Sequence, residues 1–415
     1  MTPSLPLDIV MIGPFPTDER RIEGGVQASV HGLVRHLATS DAVGRLEVVS
    51  TPRHVGGPNV AASMGGVPVL HVSAPLWVRM SSILRVPMIL RRIGRVDGRV
   101  VHLHGSGPFE MLVLAGCRLR RVPIVWTMHG ITEKETLEAW RREPSLAARL
   151  RHLMFKACER LQLRMAPILI VDTAYVAREI EGRAHAIPSA LPQGIDVDEF
   201  AGARDAVREG NLVVSIGVIH PRKGHDRTIA AFADVVRKVP DARLEVIGSL
   251  SDAGHLEELR EVIRRHGLED RVTIRTDLDR AKLLEALGRA RVYALHSEEE
   301  SQGIALCEAM AAGVPIVATS VGGIPDVIGT SGAGTLVDFG DVDGFARAIV
   351  DLLGDETAWS SARAAALSRA RDFDWSNIVR GVVERYRLAL DGRDNRRRTQ
   401  YPDVRPARSA DRQTE

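Results

Sequence analysis

The stretch Glu300-Ser301-Gln302-Gly303-Ile304-Ala305-Leu306-Cys307-Glu308, running on into Ala309-Met310-Ala311-Ala312-Gly313-Val314-Pro315, decides how the rest of the chain is read. At about 100° per residue, the eight helical steps from Glu300 to Glu308 leave the side chains roughly 80° apart, so the two carboxylates do not share one helix face. The geometry that fits puts Glu300 on a loop at a strand end and Glu308 two turns into the following helix. Gly313 and Pro315 then stop that helix in the usual order, glycine just past the end and proline shortly after. A helix starting near Gly303 presents unpaired N–H groups to an anion, with one carboxylate in front and one behind. A ligand with phosphate in the middle and hydroxyl-rich groups at both ends suits this arrangement, and a nucleotide-sugar is such a ligand. The plainer alternative reads Glu298, Glu299 and Glu300 as a solvated acidic loop and Glu308 as an exposed helix residue.

Working outward, short β-type runs alternate with helical stretches. Asp8–Ile12, Leu46–Ser50, Val67–Val72, Val100–Leu103, Ile124–Met128 and Ile168–Val171 read as buried parallel strands, with amphipathic helices over Val26–Ala38, Phe109–Arg120 and Leu146–Met165 between them. Leu212–Ile216, Leu244–Ile247, Val272–Arg275, Val292–Leu295 and Ile316–Ala318 repeat the pattern. The fold class is therefore α/β, with two doubly wound domains facing across a cleft. At 415 residues the chain is long for one core, and the break falls where Pro192–Asn211 interrupts the alternation. The expected divisions are 1–200, 201–372, a helical segment 373–391 and a disordered basic tail 392–415. Ligands in open α/β sheets bind at the carboxyl ends of strands, so the strand-end loops carry the candidates.

Composition narrows the classes. A net charge of +2 with 45% hydrophobic residues describes a soluble globular protein with no bias toward nucleic acid. Cys117, Cys158 and Cys307 form neither a disulfide framework nor a metal cluster, which points to the reducing cytoplasm, and Cys307 reads as packing. The N-terminus lacks a secretory pattern, and no uncharged apolar run reaches the roughly 18 residues of a membrane span. Only five of the 55 basic residues are lysines, which marks each of them, Lys223 included.

Five loops deserve inspection. Gly24-Gly25 opens a long helix after the first strand, where glycines let the backbone approach a phosphate or sugar; an ordinary βα turn is the alternative. His129-Gly130, after Ile124–Met128, can hydrogen-bond a substrate, although a lone histidine is more often structural. His102 and His104 share one strand face, which raises a metal site, but no further acidic or histidine ligands complete a set, and no metal is expected. Gly217-Val218-Ile219-His220-Pro221-Arg222-Lys223-Gly224 places two cations at a helix start, against the dipole, with no structural return unless they face an anion such as phosphate. Its spacing is not that of a P-loop. Gly322-Gly323, before Ile324-Pro325-Asp326, forms another backbone cradle. Three Asp-x-Asp patterns, beginning at Asp196, Asp277 and Asp341, read as a domain-closing turn and two helix caps rather than metal ligands.

In family order, Gly24-Gly25-Val26, Thr127-Met128-His129-Gly130, Pro192-Gln193-Gly194-Ile195-Asp196, Pro221-Arg222-Lys223-Gly224, the Glu300/Glu308 pair and Gly322-Gly323-Ile324-Pro325 resemble the family 4 retaining glycosyltransferases of the GT-B fold. The resemblance spans nearly all of the chain. It implies two Rossmann-like domains, the first for the acceptor and the second for the donor, with a helix after Trp375 crossing back to the first. It implies a nucleotide-sugar donor held by Gly217, Arg222, Lys223, Gly303, Ile304 and Glu308. Lys223 and Arg222 would neutralise the diphosphate, and Glu308 would hold the ribose. Glu300 would meet the transferred sugar near the reacting carbon, and His129 would lie beside that sugar. Gly24 and Gly25 would line the acceptor side, and no cofactor or metal is implied. Three positions depart from the family pattern: Val218 replaces an arginine, Gln193 an asparagine and Asp326 a glutamate.

Leu76–Val96 mixes Trp77, Ile83, Leu84, Met88, Ile89 and Leu90 with Arg79, Arg85, Arg91, Arg92 and Arg95. That pattern suits either a helix lying on an anionic membrane or a domain helix with an arginine-rich solvent face. A glycan or lipid-linked acceptor and an anionic inner membrane surface are thus the expected partners beside the donor. The rivals are another GT-B enzyme (a phosphorylase or a nucleotide-sugar 2-epimerase) and a non-catalytic sugar-nucleotide-binding protein.

Overall fold

The computed structural model describes residues 6–18, 22, 24–50, 59–72, 85–94, 98–251, 253–276 and 278–392. The expected tail from 393 onward, residues 76–84 and 95–96 of the expected basic helix, and Asp277 lie outside these. Two compact units divide the chain, with cuts between Gly194 and Ile195 and between Asp374 and Trp375. The sequence placed those cuts after 200 and after 372.

The first unit carries eight strands: β1 (Leu7–Gly13), β2 (Val43–Ser50), β3 (Val60–Met64), β4 (Val67–His71), β5 (Arg99–His104), β6 (Ile124–Met128), β7 (Leu169–Val171) and β8 (Ser189–Ala190). Their spatial order is β3-β4-β2-β1-β5-β6-β7-β8, parallel except where β3 and β4 pair as an antiparallel hairpin. Strands covered on both faces are mostly apolar, and every residue of β5 and β6 is buried, with Arg99, His102 and His104 of β5 held by polar partners. Val67–Val72 is a parallel strand against β2 as read, while its other neighbour, β3, pairs with it antiparallel. β4 is parallel to β2 but alternates in exposure, as a strand near a sheet edge does. At the opposite strand ends from the loops of interest, buried Arg99 donates to the Asp8 carboxylate at 2.9 and 3.2 Å, tying β5 to β1.

The helix Trp375–Leu390 belongs to this first unit and packs on β5, β6 and the helix Gly24–Ala38. Trp375 lies so close to Gly32 and Gly194 that a Cβ at either would come within 2.5 Å of its ring. Its Tyr386 hydroxyl reaches His102 Nδ1 at 2.7 Å. The described part of the Leu76–Val96 segment is a helix, Val86–Ile93, whose Val86, Ile89 and Ile93 are buried in the core. Its apolar face is therefore turned inward, leaving Arg91, Arg92 and Met88 outside.

The second unit has six parallel strands: β9 (Leu212–Ile216), β10 (Arg243–Gly248), β11 (Val272–Thr276), β12 (Val292–Leu295), β13 (Ile316–Thr319) and β14 (Gly334–Val337), ordered β11-β10-β9-β12-β13-β14. This is the doubly wound order, in which the winding reverses between β9 and β12. In the first unit the reversal falls between β1 and β5. The sequence reading missed β14, a four-residue edge strand opened by a glycine with alternating exposure. Asp279 and Asp341 are helix N-caps, accepting from the amides of Lys282 and Gly344, as read from the sequence.

Candidate active site

The winding reversal of the second unit brings together the loops after β9 and β12. The first runs from Gly217 through a 3₁₀ turn, Pro221–Lys223, into the helix His225–Lys238. Beneath it sits His225, fully buried, with Nδ1 3.1 Å from Ser215 Oγ and Nε2 3.2 Å from the Gly217 carbonyl. Burial, followed by the charge of Lys223, lowers its pKa to about 4. The ring is thus a neutral strut fixing the loop from below. Gly224 closes the turn at φ 61°, where a Cβ would lie 1.9 Å from the His296 carbonyl, so only glycine lets the two loops touch.

From that loop Lys223 extends its ammonium onto the Glu300 carboxylate, which also accepts from Ser297 Oγ at 3.1 Å. Glu300 is buried rather than solvated, and Glu298 pairs with Arg227 at 2.6 Å, so the acidic run is not a free loop. Of the two cations at this helix start, Lys223 therefore has a protein partner in Glu300, while the Arg222 main-chain carbonyl accepts from the Glu298 amide. Gly322 and Gly323 complete the frame from the loop after β13. The Gly323 amide donates to the Glu300 carbonyl at 2.7 Å, and a Cβ on Gly322 would stand 2.1 Å from that oxygen. Gly217, Arg222, Lys223, Glu300, Gly322 and Gly323 thus all belong to one local cluster.

Gly303 is the N-cap of the helix Ile304–Ala311, in the left-handed region at φ 80°, and Gly313 follows its end at φ 69°. Glu308 lies on the second turn of that helix, as the spacing required. It pairs with Arg280, whose other nitrogen holds Glu199 at 2.7 Å. Burial alone would lower the Arg280 pKa, but Glu308 and Glu199 outweigh it and hold the group above its usual value. Arg280 was not singled out from the sequence, and no local motif marks it. Tyr293, buried between these features, donates to the Ile216 carbonyl at 2.8 Å; burial and the two glutamates keep it protonated. Cys307 is packing: it is fully buried, and its thiol is pushed up to about 12.

The first unit presents neutral rings where the second presents charges. His104 Nδ1 is 2.9 Å from His129 Nε2, and the rings stack at 5.2 Å. His129 Nδ1 faces Asp172 Oδ1 at 3.5 Å, while Gln193 Nε2 donates to Asp172 Oδ2 at 2.6 Å. A proton on Nδ1 facing the carboxylate leaves Nε2 of His129 to accept from His104. His104 thus engages Nε2 of His129, while Nδ1 faces Asp172 without a hydrogen bond. His102 bridges Tyr386 and Thr127 Oγ1 at 2.7 Å each, with a pKa lowered to about 3 by burial and then by His129. His104 is held well below the usual value by burial and by both neighbouring rings. Among the described residues no group of three His, Cys, Asp or Glu side chains is placed to hold a metal ion. Gly24 starts its helix at φ 79°, with Gly25 exposed beside it.

These features meet two family descriptions, Glycosyltransferase Family 4 over residues 23–199 and Glycosyl transferases group 1 over residues 196–372. A D-inositol 3-phosphate glycosyltransferase of Kribbella flavida is 31% identical over 402 residues, covering 89% of this chain and 91% of that protein. The chain is a family 4 glycosyltransferase. A phosphatidyl-myo-inositol mannosyltransferase of Mycolicibacterium smegmatis is 28% identical across 91% of this chain and 93% of its own length. Another D-inositol 3-phosphate glycosyltransferase, from Segniliparus rotundus, is 32% identical over 49% of this chain and 47% of that protein. The GT-B fold is shared with a sucrose-phosphate synthase of Thermosynechococcus elongatus (TM-score 0.75, 21% identity, covering 93% of this chain and 100% of that one). It is shared too with Anabaena HepE in complex with UDP and glucose (TM-score 0.68, 18% identity, covering 91% and 98%).

Proposed function

We propose that this glycosyltransferase moves a sugar from a UDP- or GDP-sugar to an acceptor hydroxyl, with retention at the anomeric carbon and without a metal. The observation that carries the reading is Lys223 beside Glu300 at the winding reversal of the second unit, framed by the amide-rich loops of Gly217 and Gly322-Gly323. A donor diphosphate competes with Glu300 for the Lys223 ammonium, while the N-terminus of Ile304–Ala311 supplies amides. Arg222 adds charge, and Glu308 takes the ribose hydroxyls. Released from Lys223, Glu300 is free to accept from the sugar hydroxyls next to the reacting carbon.

In the transfer, the bond from the anomeric carbon to the diphosphate oxygen breaks and the bond to the acceptor oxygen forms on the same face. The acceptor proton passes to the departing phosphate, and the nucleoside diphosphate leaves. Lys223 and the loop amides stabilise the charge that develops there, which is where electrostatic catalysis is strongest. His129, its ring fixed by Asp172 and His104, borders the sugar, and Gly24-Gly25 border the acceptor. The relatives named for inositol phosphate and phosphatidylinositol favour a polyol phosphate or a polyol lipid as acceptor. Glycolipid or surface-polysaccharide synthesis at the inner membrane surface fits such an acceptor.

The test is a panel of UDP- and GDP-sugars, followed by thermal stabilisation and slow nucleotide release, with the product anomer read by NMR. Stabilisation by one donor, loss of turnover in Glu300→Ala and a retained anomer are expected. Silence from every donor in a folded sample would sink the proposal. Nucleotide binding without turnover would favour the binding-protein alternative, and a requirement for free phosphate would favour the phosphorylase.

A further inference from the structure

The helix Leu146–Met165 buries Cys158 and Leu163 together with three polar side chains. Its inward face carries polar groups: His152 Nδ1 meets Thr136 Oγ1 at 3.1 Å, the Glu159 carboxylate accepts the Glu133 amide at 3.1 Å, and Gln162 Oε1 accepts the Gly107 amide at 3.2 Å. Its outward face carries Leu146 (72% exposed), Leu150 (57%), Leu153 (49%), Met154 (43%) and Leu161 (46%). Among the described residues these five are the only exposed large apolar residues that share one helix, the others being scattered over both units. At 100° per residue, Leu146, Leu150, Leu153, Ala157 and Leu161 fall on one stripe about 20 Å long. A soluble surface does not ordinarily leave such a stripe without a partner.

Charge decides the partner. Arg149 and Arg160 flank the stripe on one side and Arg151 on the other, with Arg164 at its far end, all exposed. The sole acidic residue of the helix, Glu159, is buried. A second copy packed face to face would set arginines against arginines with no carboxylate on the helix to answer them. An anionic lipid surface accepts both the leucines and the arginines. Among the described residues no helix is long and apolar enough to cross a membrane.

We infer that the exposed face of Leu146–Met165 docks this enzyme on an anionic phospholipid bilayer, the leucines entering the headgroup boundary and the arginines meeting lipid phosphates. This deepens the membrane placement proposed above and depends on neither donor nor transfer step.

The test is co-sedimentation of the full chain with vesicles of phosphatidylcholine alone or mixed with phosphatidylglycerol, at low and high salt. Expected is salt-sensitive binding to the anionic vesicles only. Leu150→Ser with Leu153→Ser should cut partitioning by about tenfold or more, since each leucine loses burial in lipid while its solvent-exposed place in the fold is undisturbed. Arg151→Glu with Arg164→Glu should remove the preference for anionic lipid. No binding of the wild type to anionic vesicles, or equal binding by the leucine variant, would overturn the inference. So would a dimer in sedimentation velocity that the leucine variant splits, which would assign the stripe to a second copy. Binding is measured without donor, so a failed donor screen and a failed vesicle assay remain separate results.

Discussion

At the winding reversal of the second unit the side chains are charged and paired, Lys223 with Glu300, with Arg280 and Glu308 paired one helix away. At the reversal of the first they are imidazole rings, His102, His104 and His129, packed on one another and on Tyr386, with His102 and His104 held neutral by burial. The strand order around both points is the same, so backbone topology does not set the difference. What differs is the ligand part each surface suits. Mobile cations and carboxylates can exchange their mutual pairing for a diphosphate and a ribose. The buried imidazoles of His102 and His104 bring no charge, and their nitrogens are taken by Tyr386, Thr127, His129 and Met11.

The largest expected effect breaks the charged side. Lys223→Ala should lower kcat/KM by about 10²–10³, the usual loss when a group stabilising a leaving charge is removed. Lys223→Arg should recover part of it, and Glu300→Gln should lower kcat with a smaller change in donor affinity. His104→Gln, on the neutral side, should cost far less. Steady-state kinetics with the responsive donor would decide; activity within tenfold of wild type in Lys223→Ala would remove the phosphate role from this loop.

Acid stability separates the two units by a different route. His225 in the second unit and His102 in the first have folded pKa values of about 4 and about 3, both depressed by burial. Below the usual 6.5 the unfolded chain takes up protons that these rings refuse, so stability falls as the pH drops from 6.5 toward 4. At pH 5 the cost is on the order of 2 kcal/mol for each ring. Glu159 works the other way in the first unit: burial raises its carboxyl to about 7, so it stays protonated after the unfolded form has ionised and is less penalised at low pH. The second unit holds no such raised carboxyl among its described residues, and its His296, lowered to about 4 by burial and then by Arg227, is matched in the first unit by His104, held well below the usual value by burial. Denaturant unfolding followed by hydrogen exchange at pH 5 and 7.5 should therefore show the second unit losing more stability on acidification. An equal loss in both would mean that Glu159 does not titrate as its burial implies.

A smaller effect tests whether the neutral rings are positioned or merely packed. Asp172→Asn keeps the shape but offers His129 an amide, which no longer fixes a proton on Nδ1. A drop in kcat of about tenfold with unchanged donor KM is expected, as when a group that orients a ligand-facing histidine is lost. Unchanged kcat and an unchanged pH profile would leave His104 as the sole support of that ring.

Much of this was legible in the sequence, for identifiable reasons. Ile124–Met128, Leu212–Ile216 and Val292–Leu295 are central strands, and a continuous apolar run bounded by turn residues marks them to the residue. Val60–Met64 and Gly334–Val337 lie at sheet edges, where one face is wet and no apolar run forms. Lys223, Glu300 and Gly322 could be found because each follows a strand in a loop of unusual composition. Arg280 and Asp172 could not: Arg280 opens a helix of the second unit that carries no motif, and Asp172 follows β7 of the first unit with no glycine or cation beside it to mark it. The helix Leu146–Met165 shows the limit of periodicity most clearly. Its leucine spacing reads as a buried stripe, yet His152, Glu159 and Gln162 share the inner face with Cys158 and Leu163, and Leu146, Leu150, Leu153 and Leu161 are turned out.

The finest distinction lies at Val218, half-buried beside Gly217 where the family pattern has arginine. Of the two cations in this loop, Lys223 is already held by Glu300, so part of the energy of donor binding goes into separating that pair. A third cation would meet the diphosphate with no carboxylate to displace. Val218→Arg should tighten the donor about three- to tenfold at low salt, with the gain shrinking as salt rises and kcat unchanged. A double-mutant cycle with Arg222→Ala sharpens the result, because residues sharing one anion couple while independent ones add. If Arg222 already stands in for the missing arginine, Val218→Arg will do little in the wild type yet rescue Arg222→Ala. If it does not, the two changes will be additive, and the donor site of this chain will have been shown to work with one cation fewer than the family pattern provides.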